Sequence, residues 1–301
     1  MPLDKLLNRQ DLKDIAEAAS ALEKILASMG SVAVALSGGV DSAVVAAAAH
    51  RALGEKAMAF TGQSPSVART ELDHAREMAS LIGIHHEVVA TEEFSSPAYV
   101  ANDGSRCYHC KSTLYDTALG HLSVWRVQNL ASGANLDDLG DYRPGLQAAA
   151  ERRVRHPLVE AGLDKSKVRT LARHYGLPIW DKPASPCLSS RIAPGIEATP
   201  ERVARVEAAE EILRQLGYPV CRVRVHAEEM ARLELPLEEL AGFLSSGHHG
   251  LVSEKLLLLG FRFVTLDLRG FQSGSLNTLV PLGIRAKYQT KQEQPPHGVL
   301  Q

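Results

Sequence analysis

The chain has 301 residues, 45% hydrophobic and 23% charged, enough for about two soluble globular domains with real cores. Its formal net charge of −2 leaves no electrostatic footprint for nucleic acid. No apolar run approaches the ~18 residues of a membrane span, and the opening Met1-Pro-Leu-Asp-Lys5 lacks a secretory signal's charged-then-apolar pattern, so a cytoplasmic protein is expected.

In chain order, residues 11–29 place Leu12, Ile15, Ala18, Leu22, Ile25 and Leu26 at helical spacing and predict an amphipathic lead-in helix. Strands are expected at 32–36, 57–60, 85–89 and 127–131, alternating with helices near 43–53, 67–82, 110–121, 143–151 and 164–175. That alternation implies an α/β fold over residues 1–180, a Rossmann-like parallel sheet with helices on both faces. Residues 181–195, with Pro183, Pro186 and Pro194, read as a loop or linker. Thr199 is placed to cap a helix that starts with Pro200 and runs to about 216. Short strands near 220–226 and 261–268 flank another helical stretch, so a smaller α+β domain is expected over 196–285. The polar segment 286–301 reads as a disordered tail.

The most informative segment is Ser37, Gly38, Gly39, Val40, Asp41 and Ser42, between an apolar strand and an apolar helix. Paired glycines let the backbone turn sharply and direct N–H groups inward, and the helix behind adds its positive end, which makes a phosphate cradle. Ser37 and Ser42 add hydroxyls, and Asp41 is suited to hold Mg2+ against phosphate oxygens. The segment lacks the lysine and the spacing of a G-x-x-x-x-G-K-S/T loop. It resembles instead the PP-loop of the ATP pyrophosphatases, the adenine nucleotide alpha hydrolase-like proteins. That resemblance implies cleavage of ATP to AMP and pyrophosphate with adenylation of a substrate oxygen. Residues 61–66 follow the second strand, on the adenosine side of the crevice in such a fold.

Cys107 and Cys110 stand where a helix is expected to begin, with Arg106 and Lys111 beside them to favour thiolates. A lone C-x-x-C fits half a zinc site, part of an iron–sulfur site or a redox pair, and His109 or His174 are the candidates for a fourth zinc ligand. Cys187 lies in the proline-rich loop beside Lys182 and Arg191, a reactive setting. Cys221 alternates with Val223 and Val225 and reads as a core residue. Three functional cysteines suit a 4Fe-4S cluster with one iron open.

Arg222 and Arg224 leave one face of a strand roughly 7 Å apart, with His226 continuing the row. Two such guanidiniums suit a phosphate monoester, and an exposed edge strand guarded by arginine is the plainer alternative. Asn135, Asp137 and Asp138 fall at the end of the fourth strand, where they either help place magnesium or cap the next helix. Asp141 and Arg143 suit a local salt bridge, Glu210 and Glu211 a charged solvent face, and His248 with His249 a solvated turn.

Several segments together resemble the LarE family of ATP-dependent sulfur transferases, which serve nickel-pincer nucleotide synthesis for lactate racemase. They are Ser37–Ser42, Arg106–Lys111, Gly133–Asp138, Asp141–Gly145, His156–Leu158 and Lys182–Arg191, and the likeness runs over about residues 10–285. The resemblance implies that the carboxylates of pyridinium-3,5-biscarboxylic acid mononucleotide become thiocarboxylates. It implies Cys187 as the reactive sulfur, given up with formation of dehydroalanine in some members. In members with an added C-x-x-C it implies a 4Fe-4S cluster on Cys107, Cys110 and Cys187 that passes on a bound sulfide, and this chain has all three cysteines. It further implies Arg191, Arg222 and Arg224 as the anchors of substrate phosphate, a metal role near the substrate for Glu210 and Glu211, and a homo-oligomer. The rivals are a tRNA thiolase, which should demand a basic surface, an ammonia-dependent amidating ligase, which should not need Cys187, and a non-catalytic nucleotide-binding regulator.

Overall fold

The computed structural model describes residues 9–140, 142–272 and 274–288. Its first half lays down, in order, α1 (Arg9–Ala27), β1 (Val32–Ala35), α2 (Val40–Leu53), β2 (Ala57–Gln63), α3 (Arg69–Ile82), β3 (His85–Ala90), α4 (Pro97–Val100), α5 (Arg106–Trp125), β4 (Asn129–Ala131), α6 (Pro144–Glu151), α7 (Pro157–Glu160) and α8 (Lys165–His174). The second half adds α9 (Pro200–Gln215), β5 (Arg222–His226), β6 (Met230–Glu234), α10 (Leu240–Ser245), α11 (His248–Leu258), β7 (Phe263–Leu266) and α12 (Leu282–Tyr288).

The first four strands form one parallel sheet in the order β3-β2-β1-β4. β1 and the first residues of β2 are apolar on both faces, as strands covered twice require, while the edge strand β3 begins with His85, His86 and Glu87. Val32 and Val34 of β1 join a core under α1, α2 and α8, while Ala33 joins a second core under α5 with Phe60, Tyr115 and Trp125. α2 is buried almost along its whole length, Ala43 through Ala49 included, because it lies between sheet and outer helices with no solvent face.

The smaller sheet runs β5-β6-β7, antiparallel then parallel. β6 does not stand out in the sequence, since only Ala231 and Leu233 supply its apolar face among Met230, Arg232 and Glu234. Thr199 caps α9 as expected, accepting the Arg202 N–H at 3.3 Å ahead of Pro200. His248 and His249 open α11 instead of forming a turn, and His248 meets the Tyr218 hydroxyl at 2.9 Å.

The segment expected as a linker is built into the second core. Leu188 and Ile192 are buried there with Tyr99 from the first half, and Ile192 bridges to Val225 of β5. Asn102 fastens the same junction by donating to the carbonyls of Ile192, Ala193 and Ile196 at 2.9–3.2 Å. α12 carries helix through Tyr288 into the expected tail, and residues 289–301 lie outside the described residues.

Candidate active site

The hexapeptide turns where β1 ends and α2 begins, at the carboxyl edge of the parallel sheet. Gly38 has φ +74°, and a Cβ there would stand 2.8 Å from the Glu71 carbonyl oxygen, so the turn requires glycine. Gly133, just past β4, lets the chain approach α2 so closely that a Cβ would lie 2.6 Å from Ser42 N. Ser42 Oγ accepts the Ser37 N–H at 3.1 Å and donates to the Gly39 carbonyl at 3.0 Å, while the two serine hydroxyls meet at 3.1 Å. These bonds hold the loop in shape around its inward amides.

Asp41 uses one carboxylate oxygen to receive Lys165 Nζ at 2.6 Å, and its buried Oδ1 has no partner among the described residues. An orphaned buried carboxylate oxygen beside a phosphate cradle fits a magnesium ligand. Lys165 comes from the start of α8, and Lys182 from the cysteine-bearing segment reaches the Gly38 carbonyl at 3.1 Å, Glu71 at 2.9 Å and His74 at 2.9 Å. Nothing in the spacing of the chain signals either lysine's contact, because the partners lie 124 and 144 residues away.

The cysteine segment is pinned a second time by the Leu188 N–H, which donates to the Ser66 carbonyl at 2.8 Å in the loop after β2. Cys187 therefore sits between two anchors on the rim of the nucleotide crevice. α5 begins at Arg106, so Cys107 and Cys110 lie in its first turns, Cys107 exposed and Cys110 with its sulfur enclosed by protein. Burial pushes the Cys110 thiol well above its ordinary range, and the nearby Cys187 and Glu93 push the same way, against a smaller pull from Lys111. Burial thus outweighs the neighbouring cations at Cys110, contrary to the expectation of a thiolate favoured there.

The three thiols surround one region, since Cys107 and Cys187 both act electrostatically on Cys110. Among the described residues, however, no three His, Cys, Asp or Glu side chains stand together at metal-ligand spacing. The donor chemistry fits a cluster; the spacing of these thiols does not form one ready-made. His109 and His174 complete no zinc set among the described residues. Cys221 is fully buried, and burial pushes its thiol up to about 12, as suits a core residue.

The arginines are not free receptors as a group. Arg191 is buried and forks onto buried Glu210, at 2.9 Å through Nε and 3.2 Å through Nη2. Arg224 is buried and donates to Glu234 at 2.9–3.0 Å, a carboxylate shared with Arg232. Glu210 therefore does not lie on a solvent face as expected; it also takes the Val223 N–H at 3.2 Å, and only Glu211 of that pair is exposed. Arg222 differs, contacting the Cys221 carbonyl at 2.6 Å and lying 5.0 Å from the Phe271 ring centre, with no carboxylate partner among the described residues. Burial and the charges of Arg191 and Arg224 lower its pKa, opposed by Glu210.

Asp137 receives the Lys165 N–H at 3.1 Å, and Asp138 receives the Asn135 N–H at 3.1 Å and Arg143 at 2.9 Å. Both carboxylates thus serve local backbone and a salt bridge, and Asp141 lies outside the described residues. In the loop after β2, Ser64 and Ser66 both donate to buried Glu93. His156, in the motif before α7, meets Ser132 Oγ at 2.8 Å through Nδ1, and burial lowers its pKa against the pull of Glu160 and Asp138.

Residues 17–100 match the asparagine synthase family. The chain is 47% identical over 247 residues to an uncharacterized protein of Synechocystis sp., covering 82% of this chain and 92% of that one. It is 38% identical over 252 residues to the pyridinium-3,5-bisthiocarboxylic acid mononucleotide synthase of Lactiplantibacillus plantarum, covering 82% of this chain and 88% of that enzyme. A tRNA-specific 2-thiouridylase of Azorhizobium caulinodans is 30% identical over 193 residues, 51% of this chain and 49% of that protein. No helix among the described residues is long and apolar enough to cross a membrane.

Proposed function

The chain belongs to the pyridinium-3,5-bisthiocarboxylic acid mononucleotide synthase family, LarE, and from that premise we propose how its residues carry out an ATP-dependent sulfur transfer. The substrate is pyridinium-3,5-biscarboxylic acid mononucleotide, and its two acids require two rounds, in the service of nickel-pincer cofactor synthesis. Ser37, Gly38, Gly39 and Ser42 hold the ATP phosphates, and the orphaned Asp41 oxygen takes Mg2+, which screens the phosphate charge when bound. A substrate carboxylate oxygen attacks the α-phosphorus, the P–O bond to pyrophosphate breaks, and an acyl-adenylate forms. AMP is a far better leaving group than hydroxide, so the acyl carbon is open to a sulfur nucleophile.

Cys187 is the sulfur at that carbon. The observation that carries this reading is the double anchoring of its segment, by Lys182 on Gly38 of the cradle and by Leu188 on Ser66 of the crevice loop. Activation and sulfur delivery then share one crevice. Cys107, Cys110 and Cys187 would hold a 4Fe-4S cluster, which would supply a bound sulfide in place of the cysteine's own sulfur. Arg222 takes the substrate phosphate, while Arg191 and Arg224, held by Glu210 and Glu234, fix the segment and strand on either side of it. Active copies assemble as a homo-oligomer.

Anaerobic purification with iron and sulfide analysis, coupled to intact mass before and after turnover with ATP and the mononucleotide, tests both halves. Thiocarboxylate product with iron and unchanged mass supports cluster delivery. Product with loss of the elements of H₂S from Cys187, without iron, supports the sacrificial route. Full amidation activity of Cys187→Ala with ammonia would overturn sulfur transfer.

A further inference from the structure

We propose that Lys111 is the cation that takes up the charge forming on the acyl oxygen when sulfur attacks the adenylated substrate; the proposal rests on the sulfur-transfer reading above. Four other cations of the region have carboxylate partners. Lys165 is held by Asp41, Lys182 by Glu71, Arg191 by Glu210 and Arg224 by Glu234. Lys111 is half-buried on α5, next to Cys110, and its ammonium has neither a carboxylate nor a hydrogen-bond partner among the described residues. It lies 5.8 Å from the Tyr115 ring centre, within electrostatic reach of the thiols of Cys110, Cys107 and Cys187 on one side and of His156 on the other.

The Lys111 ammonium keeps contact with water, and a ligand that displaces that water is favoured when it brings a negative charge in its place. The substrate brings two kinds of charge to this crevice, a phosphate and a reacting carboxyl group. Arg222, also without a carboxylate, meets the first, and Lys111, on the side of the thiols, meets the oxyanion that forms on the second when sulfur attacks. Its position is protected by Gly145, at which a Cβ would stand 2.9 Å from Lys111 Cγ. The glycine in the Asp141–Gly145 motif thus leaves the lysine stem its path over α6.

The step balances without any oxidant or reductant. Cys187 attacks as thiolate, its proton having passed to solvent, and the C–S bond forms as the carbonyl electron pair moves onto the acyl oxygen beside Lys111. The pair returns, the C–O bond to AMP breaks, and AMP leaves with that bond's electrons. Only the middle of this sequence carries the oxyanion, so the ammonium acts on sulfur transfer and not on adenylation.

The test uses full-length protein, ATP and the biscarboxylate mononucleotide, with pyrophosphate release and thioacyl formation followed separately in single turnover. Lys111→Met is expected to slow thioacyl formation about 10²-fold to 10³-fold while the pyrophosphate burst stays within about threefold. Lys111→Arg should recover part of the loss, and Gly145→Ala, which crowds the intact lysine, should slow the same step about tenfold. Thioacyl formation within threefold of wild type in Lys111→Met, or an equal loss of both steps in folded Lys111→Met and Gly145→Ala, overturns the proposal. A wild-type protein that releases no pyrophosphate with this mononucleotide overturns the sulfur-transfer reading instead.

Discussion

The phosphate cradle and the arginine strand both look like anion sites, yet the two are built in opposite ways. The cradle is backbone and hydroxyl, shaped by Gly38 and Ser42, and it leaves one carboxylate oxygen of Asp41 unsatisfied. The arginine strand is already neutralised, since Glu234 takes up Arg224 and Arg232, and Glu210 takes up Arg191. One region is poised for a ligand; the other chiefly holds the smaller sheet against α9 and the cysteine segment, with Arg222 as its exception. A buried ion pair contributes little net stability, while removing one partner is expensive, so the two regions should respond differently to substitution.

The sharpest break is at Asp41. Asp41→Asn keeps an oxygen for Lys165 but loses the charge offered to magnesium, and pyrophosphate release should fall about 10²-fold to 10³-fold with near-native stability. An activity within threefold of wild type would deprive the cradle of its metal ligand. Next in size is Glu234→Ala, which strands the buried Arg224 guanidinium and takes one of two carboxylates from Arg232. Urea unfolding should show a loss of about 3–5 kcal/mol; a change under about 1 kcal/mol would mean the arginines are not held by their carboxylates.

A smaller effect separates the two arginines of one strand face. Arg222→Ala removes a guanidinium bound only to carbonyls and Phe271, so the KM for the mononucleotide should rise about tenfold with little change in the unfolding midpoint. Arg224→Ala should instead destabilise, because Glu234 then lies buried beside one partner fewer. Equal effects of the two on KM would restore the paired-receptor reading of the strand.

The difference between these regions also marks what the chain discloses in advance. The cradle is local, six consecutive residues between a strand and a helix, and β1 and the start of β2 announce themselves as apolar runs. The partners of the arginines are not local, but one left a trace. Val203, Val206, Glu210 and Leu213 share one stripe of α9, so Glu210 stands where the period demands an apolar residue, and a buried carboxylate implies a buried cation. β6 escapes because Arg232 and the fully buried Glu234 share one of its faces and break the apolar pattern. The cysteine segment escapes because its prolines signal a linker while Leu188 and Ile192 are too few to signal a core. For Lys165 and Lys182 no local pattern exists, since only the folded sheet brings them to the cradle.

The smallest expected effect compares one histidine from each region. His156 beside the cradle and His226 at the end of the arginine strand are both held below the ordinary histidine value of 6.5, mainly by burial. The unfolded chain therefore binds a proton at each position near that value while the folded chain resists it, so stability is full above it and falls as pH drops through 6.5 toward the folded pKa. His156→Gln and His226→Gln should each flatten the decline in thermal midpoint between pH 7.5 and 5.5. The double variant should flatten it by about the sum of the two, because His156 stands at the start of α7 and His226 at the end of β5, and they share no partner. His86, depressed by burial in the same direction, should preserve a residual slope. A decline unchanged in both single variants would mean that these rings are protonated in the folded state, and that neither region excludes charge as its burial demands.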